Sequence, residues 1–250
     1  MDTLFYAEPG TVTSTHIRLI GEEAKHASRV LRCQVGDPMQ ITDGLGTLFH
    51  GIVESVTRTE VVVCIEKRTH QTKESPRKVL AIGWIRKRER LEFLLEKATE
   101  LGTDFFTVFT ADHSEKGSIR MERLSAVLLR AMKQSKRAFL PGISIARSLD
   151  EVLGNPEVGD RSSSRTGNLA GSRRLIYGDM AAMNTKIDRV DRAEQTKELV
   201  GLIGPEGGWS SRELTLLHDA HAEPILLGSY RLRTETAGII MADRLANANL

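Results

Sequence analysis

The chain has 250 residues, of which 40% are hydrophobic and 27% are charged, a composition that supplies enough apolar side chains for one large core or two small ones. No run of about 18 apolar residues is present, and the start of the chain lacks a basic segment followed by an apolar one, so we expect neither a membrane span nor a secretory signal. The two cysteines, Cys33 and Cys64, and the seven histidines show no metal-ligand spacing. We therefore expect a reduced, cytoplasmic protein without a metal site.

The first seventy residues predict a small β-rich domain. Short apolar runs alternate with turns such as Gly36-Asp37, and one helical stretch, Glu22–Leu31, interrupts them. The predicted strands are Leu4–Tyr6, His16–Leu19, Pro38–Thr42, Thr47–Val56 and Val61–Arg68. We interpret residues 1–72 as a small β-barrel domain with one helix, followed by a polar hinge over residues 69–76.

After the hinge, strands and helices alternate. The predicted strands are Val79–Ile85, Phe105–Thr110, Leu175–Tyr177, Glu198–Ile203 and Ile225–Leu227, and the predicted helices include Glu89–Leu101 and Ser118–Phe139. This alternation predicts a mostly parallel sheet with helices on both faces, so we interpret residues 73–250 as an α/β domain. The segment Gly154–Arg174, rich in Gly, Ser and Arg, is interpreted as a mobile surface loop without an assigned function.

Two glycine-containing segments near the C-terminus are the strongest indications of function. Leu202–Ser210 reads Leu-Ile-Gly-Pro-Glu-Gly-Gly-Trp-Ser, and Leu227–Ala237 reads Leu-Gly-Ser-Tyr-Arg-Leu-Arg-Thr-Glu-Thr-Ala. Each follows an apolar strand and precedes a helix, and Ser210 with Glu213 predicts a capping box at the first helix. Two such breaks at the carboxyl ends of parallel strands indicate one small-molecule site. For the first segment alone, a tight turn without a ligand is an equally good interpretation, and the segment matches neither a Rossmann nor a Walker loop.

These segments carry a family resemblance. Gly-Pro-Glu-Gly-Gly at 204–208, followed by Leu-Gly at 227–228 and Leu-Arg-Thr-Glu-Thr-Ala-Gly at 232–238, resembles the cofactor-binding half of the SPOUT methyltransferases, and more narrowly the ribosomal small-subunit RNA uridine-N3 methyltransferase family (RsmE). Segments 30–32, 36–37, 99–102 and 134–137, with Pro141, resemble further signatures of that family in the same order. The resemblance implies a C-terminal SPOUT α/β domain with a trefoil knot that holds S-adenosylmethionine, an N-terminal PUA-like β-barrel, and a homodimer.

The resemblance also implies the residues of the cofactor site. One wall of the pocket would be formed by Ile203, Gly204, Glu206 and Gly207; the adenine would meet backbone groups of Leu227 and Gly228; and the other side would be closed by Leu232, Arg233, Thr236 and Ala237. The chain departs from the family at Tyr230-Arg231, where many members read Arg-Ile, so Arg231 receives no role.

The implied reaction is methylation of uridine N3 in small-subunit (16S) ribosomal RNA. The sulfonium is the electrophile and requires no metal, whereas removal of the N3 proton near neutral pH costs about 3 kcal/mol. We assign Arg233 as the cation that stabilises the uracil anion, and Glu206 as a base or a positioning acceptor. A loop-bracing hydrogen bond is the alternative role of Glu206.

Positive charge is concentrated in one part of the chain, although the net charge is only +2. Residues 112–147 carry eight Lys/Arg against three Asp/Glu, whereas residues 1–72 carry seven against nine. Arginines recur every seven residues on one side of the long predicted helix, which indicates a track for RNA phosphates; a solvated charged face is the alternative. The RNA-binding residues that we expect are Arg29, Arg32, Arg123, Arg130, Lys133, Gln134 and Arg137.

Two other functions remain open from the sequence. One is a SPOUT-type ribose 2′-O RNA methyltransferase with the same cofactor. The other is a non-catalytic RNA-binding factor of ribosome assembly that retains the pocket, although the intact glycine segments favour an enzyme. In each case the expected partner is ribosomal RNA or the small ribosomal subunit, and no membrane is involved.

Overall fold

The computed structural model describes residues 3–114, 120–154, 173–182 and 196–248. The chain divides into two compact units. The N-terminal unit comprises Met1–Lys73 together with Leu129–Leu140, and the C-terminal unit comprises Glu74–Leu128 together with Pro141–Leu250. The segment Leu129–Leu140 therefore groups with the first part of the chain, although it follows the predicted hinge by more than fifty residues.

The N-terminal unit is built on a curled five-stranded sheet, a half-barrel. Its strands are β1 (Leu4–Tyr6), β2 (His16–Ile20), β3 (Pro38–Thr42), β4 (Thr47–Val56) and β5 (Glu60–His70), in the spatial order β1-β3-β4-β5-β2. The β1–β3 pair is parallel and the remaining pairs are antiparallel. Between β2 and β3 lies helix α1 (Gly21–Lys25), which continues as a π-helical turn over His26–Val30.

Alternating burial explains why these strands form. In β2, Ile17 and Leu19 are fully buried whereas Arg18 between them is exposed, the period of two expected for a sheet with one face on a core. The segment 129–140 is tied to this sheet, because the Thr42 hydroxyl donates a hydrogen bond to the Ala138 carbonyl at 3.0 Å. Gly46 leaves room for the Phe139 ring, since a Cβ there would lie 2.4 Å from that ring.

The C-terminal unit contains a six-stranded sheet in which every pair is parallel. Its strands are β6 (Arg77–Gly83), β7 (Phe105–Phe109), β8 (Gly142–Ala146), β9 (Arg173–Gly178), β10 (Glu198–Ile203) and β11 (Glu223–Ile225), in the order β11-β9-β10-β6-β7-β8. The helices after β6 are α2 (Arg88–Glu100), α3 (Met121–Gln134), α4 (Leu149–Gly154), α5 (Ser211–Asp219) and α6 (Thr234–Ala246). The last turns of α3, from Leu129 onward, group with the N-terminal unit. The parallel α/β organisation predicted from the alternation of elements is therefore present, with β8 as a strand that the sequence pattern missed.

The strand order brings the two glycine-containing segments together. In the central pair, Ile203 of β10 lies opposite Ile82 of β6, so Gly204 and Gly83 leave the sheet side by side. From β11 at the sheet edge the chain returns to the centre, where α6 packs against α2, β10 and β6. This return places the second segment beside the first at the carboxyl edge of the sheet.

Candidate active site

A cavity of about 500 Å³ lies at the carboxyl edge of the sheet in the C-terminal unit. Its walls come from the ends of β9 and β10, from the segment before α6 and from the first turn of α6. The lining residues are Gly178, Asp179, Met180, Ile203, Gly204, Pro205, Glu206, Gly208, Trp209, Leu214, Leu227, Gly228, Arg231, Leu232, Thr234 and Ala237. The cavity has the size typical of small-molecule sites, and most of its lining side chains are apolar or absent.

The loop after β10 is held in shape from three sides. A Cβ on Gly83 would lie 2.6 Å from the Pro205 nitrogen, so the glycine at the end of β6 allows the two backbones to meet. The Trp209 indole stacks on the Phe109 ring with 6.2 Å between the ring centroids, and it donates a hydrogen bond to the Gly178 carbonyl at 3.0 Å. This bond ties the loop after β10 to the end of β9 across the cavity.

The predicted capping box at the start of α5 is confirmed. The Ser210 hydroxyl accepts a hydrogen bond from the Glu213 amide at 3.1 Å, and the Glu213 carboxylate accepts one from the Ser210 amide at 2.9 Å. The two hydrogen bonds satisfy backbone amides that the start of the helix would otherwise leave without partners. The cap fixes where the loop ends and α5 begins.

The predicted cofactor residues fall into two groups. Those that line the cavity are Ile203, Gly204, Glu206, Leu227, Gly228, Leu232 and Ala237. Those outside its lining are Gly207, Arg233 and Thr236; Arg233 is the N-cap residue of α6 and is exposed. Arg231, which received no role from the sequence, contributes to the wall instead.

The end of β9 is a wall that the sequence analysis missed. Gly178, Asp179 and Met180 line the cavity, and a Cβ on Gly178 would lie 2.8 Å from Leu227 Cδ1. Burial raises the pKa of the neighbouring Tyr177 hydroxyl, and the charge of Asp179 raises it further. The available signal was the Gly-Asp pair directly after a predicted strand, the same turn signal as Gly36-Asp37.

A second missed residue is Arg90, on the first turn of α2. Its guanidinium contacts Glu206 at 2.9 Å and Glu235 at 3.4 Å. The Glu235 side chain is only 10% exposed, and its Oε2 is buried without a hydrogen-bond partner in the described residues. One cation thus joins α2, the loop after β10 and the start of α6. The basic run Arg86-Lys-Arg-Glu-Arg90 directly after a predicted strand was the signal for it.

The residues expected to bind RNA are placed in different electrostatic surroundings. The guanidinium of Arg123 contacts both carboxylate oxygens of Glu92, and the Lys133 ammonium contacts Glu23. Arg29, Arg32 and Arg130 are exposed as well, but no carboxylate of the described residues forms an ion pair with them. Lys133 and Gln134 also line a smaller cavity of about 270 Å³ in the N-terminal unit, together with Thr3, Leu4, His26 and Lys136. Arg137 is half-buried and has interactions of its own.

Comparison with known proteins identifies the family. The RNA methyltransferase domain family matches residues 73–246, and the RNA methyltransferase PUA domain family matches residues 19–66. The chain is 31% identical over 247 residues to ribosomal RNA small subunit methyltransferase E of Mycobacterium bovis, which covers 95% of this chain and 88% of that protein. The chain belongs to the RNA methyltransferase family. The methyltransferase activity expected from the glycine segments is thereby confirmed.

Solved structures agree with this RNA methyltransferase assignment. A probable rRNA-methyltransferase from Porphyromonas gingivalis is 32% identical, with a TM-score of 0.77 over 96% of this chain and 95% of the other. A Legionella pneumophila protein, solved with the cofactor SAM bound, is 25% identical, with a TM-score of 0.78 over 97% and 96% of the two chains. The predicted fold class, an α/β methyltransferase domain with a PUA-like domain before it, is confirmed.

Two further features of the RNA methyltransferase concern metals and membranes. Across residues 3–114, 120–154, 173–182 and 196–248, no group of three or more His, Cys, Asp or Glu side chains is arranged to hold a metal ion. Within the same ranges, no helix has both the length and the apolar character needed to cross a membrane.

Proposed function

We propose that this RNA methyltransferase transfers a methyl group from S-adenosylmethionine to N3 of a uridine in small-subunit ribosomal RNA. The observation that carries the proposal is the cavity of about 500 Å³ that the two glycine-containing segments enclose. It is supported by the cofactor SAM bound in the Legionella pneumophila relative and by the name of the Mycobacterium bovis relative, ribosomal RNA small subunit methyltransferase E.

The lining residues fit this cofactor. Leu227 and Gly228 follow the last strand and line the cavity, so their backbone groups would face an adenine edge there, while Ile203 and Leu232 would supply apolar surface for the ring. Gly204 has no side chain, and the Trp209 ring lies 3.1 Å from where its Cβ would be, so the loop approaches the cavity through backbone atoms. When bound, S-adenosylmethionine supplies an electrophilic methyl group that reacts without a metal.

The residues of this chain must then lower the cost of deprotonating uridine N3, about 3 kcal/mol near neutral pH. Cations beside the uracil stabilise the negative charge that develops on O2 and O4. Arg233 at the start of α6 remains our candidate for this cation. Arg231 is a second one, because it lines the cavity and no carboxylate in the described residues is ion-paired with it.

Glu206 is better suited to positioning than to proton removal. One of its oxygens, Oε1, accepts a hydrogen bond from Arg90 at 2.9 Å, so this carboxylate is already engaged with α2. The resulting brace connects the loop after β10 to α2, whereas the sequence-based alternative was a brace to the loop backbone. In this proposal Glu206 holds the cofactor loop in place while proximity and orientation supply most of the rate.

We further propose that the RNA is bound through the PUA-like domain and the basic face of α3. Arg29, Arg32 and Arg130 are the exposed cations that support this part of the proposal. A homodimer that acts in the cytoplasm is the form expected for the family. We also propose that the PUA-like domain ends at residue 72 and that the methyltransferase domain begins at residue 73.

Transfer of label from methyl-labelled S-adenosylmethionine tests the proposal. Small ribosomal subunits, or their RNA, from cells without this gene are expected to take up label in the presence of the purified protein, and large-subunit RNA is not. Failure of both small-subunit substrates to take up label would contradict the proposed substrate.

A further inference from the structure

The wall formed by the end of β9 places a carboxylate in the cofactor cavity. Asp179 directly follows β9, lines the cavity and is half-buried. One of its oxygens, Oδ1, accepts a hydrogen bond from the Ala181 amide at 2.9 Å. Because a carboxylate has two oxygens and about four acceptor positions, most of its acceptor capacity is left for a ligand.

Asp179 also differs from Glu206, the other acidic residue in the wall, in its ion pairing. Glu206 is neutralised by Arg90 at 2.9 Å, whereas no Lys, Arg or His in the described ranges forms an ion pair with Asp179. A half-buried carboxylate without a cation is unfavourable unless other donors satisfy it. In the described residues, the Asp179 carboxylate in the cavity is therefore satisfied by one backbone amide and by no cation.

The position of Asp179 indicates which part of the cofactor supplies those donors. The Asp179 amide donates a hydrogen bond to the Ile225 carbonyl at 3.1 Å, so Asp179 lies beside the end of β11. The next residues of that strand lead into Leu227, and Leu227 Cδ1 lies 2.8 Å from where a Cβ on Gly178 would be. Asp179 is thus adjacent to the segment that the proposed function assigns to adenine.

We propose that the Asp179 carboxylate binds the two ribose hydroxyls of S-adenosylmethionine. The ribose is attached directly to the adenine, and two neighbouring hydroxyl groups match the two oxygens of one carboxylate. The other donor of the cofactor, the ammonium of its methionine part, lies at the far end of the molecule from the adenine. This assignment rests on the proposed function, since it requires S-adenosylmethionine in this cavity with the adenine at Leu227.

Calorimetry with three ligands tests the assignment in the full-length protein. The ligands are S-adenosylmethionine, methylthioadenosine, which lacks the amino-acid part, and 5′-methylthio-2′,3′-dideoxyadenosine, which lacks both hydroxyls. In Asp179→Ala, Kd for the first two is expected to rise about tenfold or more, because hydrogen bonds to a charged group are lost. The dideoxy compound is expected to bind the variant and the wild type equally.

Control variants separate this role from a structural one. Asp219→Ala removes an exposed carboxylate on α5 and is expected to leave every Kd unchanged. Asp179→Asn retains an oxygen for the Ala181 amide and is expected to show a smaller rise than Asp179→Ala. Matching thermal unfolding of the variants and the wild type would establish that the fold is retained.

Three results would overturn the assignment. The first is unchanged affinity of Asp179→Ala for all three ligands. The second is weaker binding of S-adenosylmethionine alone, which would place the ammonium at Asp179, and the third is equal weakening for all three ligands, which would limit the role of Asp179 to the turn. Absence of S-adenosylmethionine binding by the wild type would instead contradict the proposed function.

Discussion

Arg90 connects three parts of the site: α2, the loop after β10 and the start of α6. Its guanidinium lies between Glu206, which lines the cavity, and Glu235, which is nine-tenths buried at the start of α6. A planar guanidinium with five donors is able to contact two carboxylates at once, whereas a lysine ammonium is less suited to this geometry. Arg90 therefore connects the loop after β10 to α6, two of the elements that line the cavity.

Replacement of Arg90 by alanine is expected to weaken both stability and cofactor binding. Loss of the cation leaves Glu235 buried without its partner, which lowers the free energy of unfolding by about 1–3 kcal/mol. The loop after β10 also loses its brace, so Kd for S-adenosylmethionine is expected to rise and kcat/KM for methyl transfer to fall about tenfold or more. Denaturant unfolding, calorimetry and label transfer measure these changes.

Arg18→Ala is a suitable control for Arg90→Ala. It removes an arginine that is ion-paired with Glu60 on the surface of the N-terminal unit, where such pairs add little to stability. Arg90→Lys retains the charge and is expected to restore only part of the affinity. An Arg90→Ala protein with wild-type affinity and activity would show that the brace is not needed.

At the same scale, the sequence identifies residues of the site that are defined by local backbone needs. Gly204, Glu206 and Gly228 were predicted because a strand that ends in glycine before a helix is visible in the sequence. Arg90 was not, because its partner Glu206 lies 116 residues away and no local pattern links the two. Asp179 was missed for a similar reason, since the strand order that brings it beside Leu227 is a property of the whole sheet.

At the scale of elements, α3 shows how the surroundings change the meaning of a charge pattern. Arginines recur every seven residues along the predicted helix, which predicted a track for RNA phosphates, but α3 ends at Gln134 and carries only Arg123 and Arg130 of that repeat. The acids that neutralise part of this pattern come from other elements: Glu92 of α2 contacts Arg123, and Glu23 of α1 contacts Lys133. Helical spacing predicts which residues share a face, but not which partners that face meets.

This difference within α3 leads to a paired prediction for RNA binding. Arg130→Ala is expected to lower RNA affinity and to reduce the slope of log K against log salt concentration by about one, because one exposed phosphate contact is lost. Arg123→Ala, on the same helix, is expected to change the slope less, since Glu92 already offsets that charge. Salt titrations of binding to small-subunit RNA measure both slopes. A larger slope change for Arg123→Ala than for Arg130→Ala would contradict this interpretation.

Helix α5 is anchored by an ion-pair cluster outside the cavity. Arg212 contacts Asp112 at 2.7 Å and Asp150 at 2.8 Å, and the Ser210 hydroxyl donates a further hydrogen bond to Asp112 at 2.5 Å. The Arg212 and Ser210 hydrogen bonds lower the pKa of Asp112 to about 2 from its ordinary value of 3.8. The cluster joins the start of α5 to the segment after β7 and to α4.

The lowered pKa predicts a pH-dependent effect of Asp112→Asn. Since the carboxylate is ionised more readily in the folded state, its stabilising contribution is fully present above pH 3.8 and is lost as the pH falls toward 2. The variant is therefore expected to unfold at a lower temperature than the wild type at pH 6, and this difference is expected to shrink between pH 4 and pH 2. Calorimetric scans across this range measure it, and a difference that is independent of pH would contradict the assignment.

At the scale of the whole molecule, the sequence predicts the parallel sheet, the β-rich N-terminal part and the family. Alternation of apolar strands with helices indicates the class of fold, because each element shows its own periodicity. Two features of the fold could not be predicted from the sequence. The strand β8 is only five residues long and half-buried, so its pattern is weak. The grouping of Leu129–Leu140 with the first seventy residues depends on contacts such as Thr42 to Ala138, which are 96 positions apart in the chain.

The atom that receives the methyl group is the most direct test of the proposed function. Small-subunit RNA from cells without this gene would be methylated by the purified protein with labelled S-adenosylmethionine, digested to nucleosides and then treated to cleave the glycosidic bond. The label is expected on free uracil as N3-methyluracil, and Arg90→Ala is expected to give less of the same product. Label that stays with the ribose would contradict the account and favour 2′-O methylation, and RNA without label would contradict the small-subunit substrate.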